Sequence, residues 1–196
     1  MANTTGKKIK DAAIIGGCAS LIYLTIGDIS YRLSLSRGGL NSKLITDMVA
    51  KSAAKKPKNE YKEKLDSMID DGADWFMHQD TEKIIIEKKH RQSLYADLIR
   101  PDKPSNVYII CIHGYTSSPA NMGIYAKKYH ELGYNVLLPS LRGHGDSEQD
   151  FITMGWNDRL DVIEWINYIA ERHPESKIIL HGESMGAATT MMATGE

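Results

Sequence analysis

Two spacings of apolar residues divide the chain. From about residue 81 onward, short apolar runs of strand length alternate with stretches in which apolar residues return every three or four positions. Lys83–Lys88 and Ser93–Ile99 read as two strands joined by the polar Lys89–Gln92, which predicts an antiparallel hairpin at a sheet edge. Val107–Ile112 is apolar throughout, the mark of a strand covered on both faces. A helix is expected next, with Ser118 as N-cap, Pro119 at its first position and Gly133 as its stop. Val136–Leu138 is a further strand. Trp156–Arg172 predicts a second helix with Trp156, Leu160, Ile163, Ile166 and Ile169 turned inward, closed by His173-Pro174. Lys177–His181 is the last strand, followed by a small-residue helical pattern over Ala187–Met192. Strands alternating with helices imply right-handed crossovers and a largely parallel sheet.

The first eighty residues carry a different pattern. Lys7, Lys8 and Lys10 precede Ala12–Ile26, which has no charge. At ~1.5 Å per residue that run covers about 22 Å, against ~30 Å of hydrocarbon in a bilayer. Three readings are open: an uncleaved membrane anchor, which the notable lack of a cleavage site after the run favours, a cleaved signal, or a packed helix. A short basic N-terminus held inside would put the rest of the chain outside the cytoplasm. Residues 40–76 read as two short helices, one with Leu44, Ile45, Met48 and Val49 as its stripe, the next with Tyr61, Leu65, Met68 and Ile69. The lysines of 51–58 between them read as a solvated linker, and Asp74-Trp75-Phe76 as packing onto the domain that follows.

One junction carries chemistry. Ile178-Ile179-Leu180 runs into Gly182-Glu183-Ser184-Met185-Gly186, a G-x-S-x-G between a strand and a helix. So sharp a bend would lift Ser184 out of the sheet, and side chains at 182 or 186 would collide with the neighbouring strand and helix. The helix starting there points N-terminal amides at any oxyanion formed on the serine. A bare Gly-rich turn is the plain alternative.

Composition narrows the field without deciding it. The chain has 196 residues, 42% hydrophobic and 25% charged, with a formal net charge of −1, enough for one core and without the basic excess of a nucleic-acid binder. Cys18 and Cys111 lie far apart and form no disulfide framework or ligand cluster. No metal-binding or phosphate-cradling motif occurs, so no cofactor is expected.

Three ordered motifs, His113-Gly114 after a buried strand, Arg142-Gly143-His144-Gly145-Asp146-Ser147, and the 182–186 bend, resemble the α/β-hydrolase superfamily. The nearest likeness is to its monoacylglycerol-lipase-like and serine-aminopeptidase-like branch, which includes bacterial members with an N-terminal membrane helix. The resemblance implies the N-terminal part of an α/β-hydrolase fold, a mostly parallel sheet with an antiparallel edge hairpin and helices on both faces. It implies three regions: 1–30, a basic N-terminus and membrane-anchor helix; 31–80, a helical linker; 81–196, an incomplete hydrolase domain. Ser184 would be the nucleophile, the backbone N–H groups of Tyr115 and Met185 the oxyanion hole, and His113, Gly114, Gly182 and Gly186 the supporting turns. The substrate would be a small acyl or ester compound, and residues 12–29 would contact the cell membrane as a single-pass anchor. His113, His181 and the 142–147 loop are read as structural, and Asp158, Asp161 and Glu164 as a solvated or capping face. Many relatives have an aspartate where Ser140 stands, so the loop lacks that carboxylate here.

In that superfamily an acid and then a histidine follow the serine. Met185–Glu196 contain neither a histidine nor an aspartate, and a serine without a base is a poor nucleophile. The strand Lys177–His181 would also lack a neighbour. A longer enzyme of which this is the first part, inactive in this form, is one expectation; a short non-catalytic binding protein is the other. A carboxylate-nucleophile hydrolase is excluded by Ser184.

Overall fold

The computed structural model describes residues 2–37, 59–90 and 92–196, and for 2–13 and 15 the backbone alone. The helix expected around Leu44–Val49 and the lysines of 51–58 lie outside the described residues. Five strands, β1 (Glu82–Ile86), β2 (Leu94–Ile99), β3 (Val107–Ile112), β4 (Asn135–Pro139) and β5 (Lys177–Gly182), form one sheet in the order β1-β2-β4-β3-β5. Among the described residues the α-helices are α1 (Ala2–Leu35), α2 (Glu60–Met77), α3 (Gly123–Glu131), α4 (Asp158–Arg172) and α5 (Met185–Ala193).

The continuous apolar run of β3 is explained by what covers it. Tyr108, Ile110 and Ile112 point to one face, where Val162, Trp165 and Ile169 of α4 and Met185 of α5 pack. Ile109 and Cys111 point to the other, against Phe76 of α2, Ala126 of α3 and Met122 just before α3. Full burial of a side chain such as Ile109 or Ile110 contributes about 1.5–3 kcal/mol each. On the α2 side the helices come into backbone contact, because a Cβ on Gly123 would lie 2.1 Å from the Gly72 carbonyl oxygen. Tyr61 and Leu65, in the first turns of α2, remain exposed.

The sheet is mixed rather than mostly parallel. β1 and β2 form the hairpin from Glu82↔Leu98 to Ile86↔Leu94, but β2 also runs antiparallel to β4. Only the β4–β3 and β3–β5 pairs are parallel, the latter from Val107↔Lys177 to Ile112↔Gly182. β5 stands at the sheet edge, with Ile179 47% exposed.

The inward face of α4 differs from its sequence expectation. Trp156 precedes α4 and is 64% exposed under the Arg159 guanidinium, and Leu160 is 44% exposed. Asp158, Asp161, Val162, Trp165 and Ile169 take the inward positions instead. The phase is set by two carboxylates with partners in the preceding loop, so the solvated face assigned to Asp158 and Asp161 is corrected. Glu164 stays half-exposed beside Lys88 at 3.2 Å.

The charge-free run 12–26 lies within α1, yet among the described residues no helix is long and apolar enough to cross a membrane. The single-pass anchor is therefore not supported by the described structure, in keeping with the short length of the run. The end of α1 is fastened to the sheet domain. Ile152 N–H donates to Leu35 O at 2.7 Å and Arg37 N–H to Asp150 O at 2.6 Å, with Tyr31 against Phe151 at 5.5 Å between centroids.

Candidate active site

The junction after β5 is a tight bend. Glu183 N–H donates to Ile112 O at 3.1 Å, carrying the β3–β5 pairing one residue past the strand. Ser184 then takes φ 54°, ψ −117°, a left-handed conformation rare for any residue with a side chain. Gly186 N–H donates to Glu183 O at 2.8 Å, and α5 begins. Both glycines are sterically required. A Cβ on Gly182 would lie 2.3 Å from Gly186 O, and one on Gly186 would lie 2.1 Å from Ile112 O.

Ser184 is exposed, and its hydroxyl makes no capping bond to α5. The end of β3 meets it directly, since a Cβ on Gly114 would sit 3.2 Å from the Ser184 Cβ and 3.3 Å from Glu183 O. Glycine at 114 lets backbone approach the serine where any side chain would intrude. Among the described residues the N–H groups of Tyr115 and Met185 donate no hydrogen bond, so both donors are unspent.

The histidines near this bend are committed. His113 Nδ1 bonds Gly114 O at 2.8 Å and its Nε2 accepts the Leu141 N–H at 3.1 Å. Burial pushes its pKa down to about 4. His144 Nδ1 bonds Arg142 O at 2.9 Å, its Nε2 accepts the Thr116 N–H at 3.0 Å, and burial again lowers its pKa. The two rings meet edge to face at 4.9 Å. His181 turns to the opposite face of the sheet, 2.7 Å from the Tyr129 hydroxyl. No histidine or carboxylate hydrogen-bonds the Ser184 hydroxyl among the described residues, and none of them form a cluster suited to a metal ion.

The 142–147 loop is locked by its own bonds. Arg142 forks onto Asp161 through Nε at 2.7 Å and Nη2 at 2.9 Å, while its N–H donates to Asp158 at 3.0 Å. Asp158 also accepts from the Thr153 hydroxyl at 2.6 Å and the Gly155 N–H at 3.0 Å. Ser140, where an acid was looked for, accepts the Asp146 N–H at 3.3 Å. Gly145 lies close against it, since a Cβ on Gly145 would meet the Ser140 Oγ at 2.6 Å.

Sequence reasoning missed the contribution of the N-terminal segment. The Tyr115 hydroxyl donates to Ser34 O, and the Arg37 guanidinium donates to Ser147 O and, at 2.6 Å, to Gly145 O. These contacts join residues about a hundred positions apart, and no local pattern announces them.

Comparison with known proteins agrees with the architecture. An esterase from Pyrococcus furiosus superposes with a TM-score of 0.55 at 28% identity, over 62% of this chain and 47% of that one. A serine hydrolase from Xanthomonas campestris gives 0.51 at 19% identity, over 59% and 56%, a likeness of fold alone. The chain has an α/β-hydrolase-like fold.

The serine aminopeptidase, S33, family profile matches residues 103–196, the part of this α/β-hydrolase-like chain that holds β3 through α5. An uncharacterised Bacillus subtilis protein, YqkD, is 29% identical over 121 residues, which is 61% of this chain and 39% of that protein. A thermostable monoacylglycerol lipase from a Bacillus species is 31% identical over 90 residues, 43% of this chain and 34% of the lipase. The chain thus spans well under half the length of these two curated relatives.

Proposed function

We propose that this chain carries the nucleophile and oxyanion side of a serine hydrolase acting on a carboxylic ester or related acyl substrate. Ser184 is the nucleophile, and the N–H groups of Tyr115 and Met185 receive the oxyanion. The observation that carries this reading is the exposed Ser184 on its strained bend, with the Gly114 backbone against it. Attack forms an Oγ–carbon bond and moves the carbonyl electron pair onto oxygen, where two fixed donors stabilise it without reorganising. Losing one such donor raises the barrier by about 3 kcal/mol. The likeness to an esterase and a monoacylglycerol lipase supports an ester substrate.

The proton leaving Ser184 needs an acceptor, and His113 and His144 have both ring nitrogens engaged. The 196-residue chain by itself therefore hydrolyses esters slowly or not at all. Protein expressed from the complete reading frame should be labelled by a fluorophosphonate at Ser184, and Ser184→Ala should abolish the label while leaving the circular dichroism unchanged. Labelling that survives the substitution removes the serine from its role. Absence of labelling in a folded protein favours the second reading, a non-catalytic binding protein on the same fold, which rests on the lack of a base at Ser184 among the described residues.

The same proposal keeps residues 12–29 as a membrane contact. Leu21, Ile22, Leu24 and Ile26 are each more than half exposed on α1. Co-flotation with anionic vesicles, lost when these four become serine, is the expected result.

A further inference from the structure

The oxyanion turn contains a residue that does not belong there on steric grounds. Ser117 N–H closes a turn onto Gly114 O at 3.3 Å, and Thr116, its third residue, has φ 56°. A β-branched side chain seldom accepts that conformation, and turns of this kind usually place glycine or asparagine there. One side chain holds it. Thr116 N–H donates to His144 Nε2 at 3.0 Å. The Arg142 carbonyl can only accept, so His144 Nδ1 carries the ring proton and Nε2 is left as a bare acceptor. Arg142 is itself fixed by Asp158 and Asp161 from α4, so the imidazole cannot drift from the turn.

We propose that His144 is a positioning residue for the oxyanion turn: neutral, it holds the Thr116 N–H and the strained Tyr115–Thr116 peptide, and on taking a proton it releases them. This rests on Tyr115 as an oxyanion donor. The exchange is one proton gained at Nε2 for one hydrogen bond lost. Protonated imidazole has only donors, so N–H would face N–H. The same four residues can then relax to a turn with Thr116 at negative φ by rotating that central peptide, which alters the backbone beside the Tyr115 donor. The charged and titratable groups facing His144 are the His113 ring from the end of β3, Asp158 from α4, and Arg142 in its own loop, whose guanidinium is turned to Asp161. Burial outweighs the bond to the Arg142 carbonyl and the pull of Asp158, which keeps the ring neutral at ordinary pH and reserves the release for acid.

The test is nuclear magnetic resonance on the isotope-labelled chain, which needs no turnover. A scalar coupling between the Thr116 amide nitrogen and His144 Nε2 is expected at neutral pH, and the Thr116 amide shift should move with the midpoint of the His144 ring. His144→Gln, whose amide oxygen accepts but does not titrate, should keep Thr116 protected from exchange at neutral pH and below the wild-type His144 midpoint alike. His144→Ala should lose that protection at least tenfold. A missing coupling, or a Thr116 amide indifferent to the His144 titration, overturns the proposal. On protein from the complete reading frame, phosphonylation of Ser184 should slow in acid at the His144 midpoint in the wild type, and that step should vanish in His144→Gln. An acid step unchanged in His144→Gln would also overturn it. With the coupling present and no labelling at any pH, the hydrolase reading fails while the hold on the turn stands.

Discussion

Acid should weaken this fold partly through a single imidazole. His113 is fully buried between the ends of β3 and β4, donating from Nδ1 to Gly114 O and accepting the Leu141 N–H at Nε2. Burial, with a smaller push from His144, takes its pKa from 6.5 to about 4 against the opposing Gly114 bond. Between those values the unfolded chain binds a proton that the native chain refuses, so stability is lost as pH falls through the window. The difference is worth about 3 kcal/mol once pH 4 is reached and about 2 kcal/mol at pH 5. Against a total of ~5–15 kcal/mol for a typical domain, that is a large share. Urea unfolding at pH 7 and pH 5 of the wild type and of His113→Gln isolates it, because carboxylates and other histidines titrate in both proteins. The variant should be weaker at pH 7, with the gap narrowing by about 2 kcal/mol at pH 5. An unchanged gap would refute the buried neutral ring. Should His113→Gln fail to fold, the wild-type ring resonance decides, since a midpoint near 6.5 contradicts the reasoning.

Two further outcomes follow from the geometry. Asp161→Asn keeps the shape of the side chain but leaves the Arg142 guanidinium, 17% exposed, without its anion; denaturant unfolding should show a loss of about 3 kcal/mol, and a loss under about 1 kcal/mol would make the pair incidental. Ser184 sits at φ 54°, ψ −117°, so Ser184→Gly should be more stable than Ser184→Ala by about 1 kcal/mol in the same measurement; equal stabilities would mean that the bend stores no strain.

The legible parts of this fold are those in which one local pattern dictates one local outcome. Val107–Ile112 reads as doubly covered because every position is apolar, and α2 with α3 on one side and α4 with α5 on the other supply the covers. Gly182–Gly186 reads as a strand-to-helix bend because only glycine fits beside Ile112 O and Gly186 O. The α4 phase was not legible, since the apolar periodicity of Trp156, Leu160 and Ile163 competes with two carboxylates whose partners, Arg142, Thr153 and Gly155, lie in a loop before the helix. The antiparallel seat of β2 against β4 was missed because strand pairing depends on the partner, not on the strand. Arg37 bonds to Gly145 and Ser147, and Thr116 to His144, across distances in sequence that no periodicity spans.

Of the four non-glycine residues at positive φ among the described residues, two stand where parallel strands end, a third just before α4, and the fourth, His90, in the β1–β2 hairpin. Thr116 follows β3, Ser184 follows β5, and Met154 precedes α4, all non-glycine residues at positive φ. Each is held by something stiffer than itself. Thr116 is tied to His144, and Ser184 is set between two pairs of backbone atoms that glycine alone permits. The Met154–Gly155 turn is pressed against α5, where a Cβ on Gly155 would lie 2.7 Å from Thr189 Oγ1. Strain of this kind, about 1–3 kcal/mol per residue, persists only where the surroundings over-determine it. A buried strand such as β3, covered on both faces, is the part of the molecule least able to yield. On the proposed hydrolase reading, donors mounted at its end would be aimed before any substrate arrives, and the cost of aiming them would be met in folding rather than added to the barrier of the reaction.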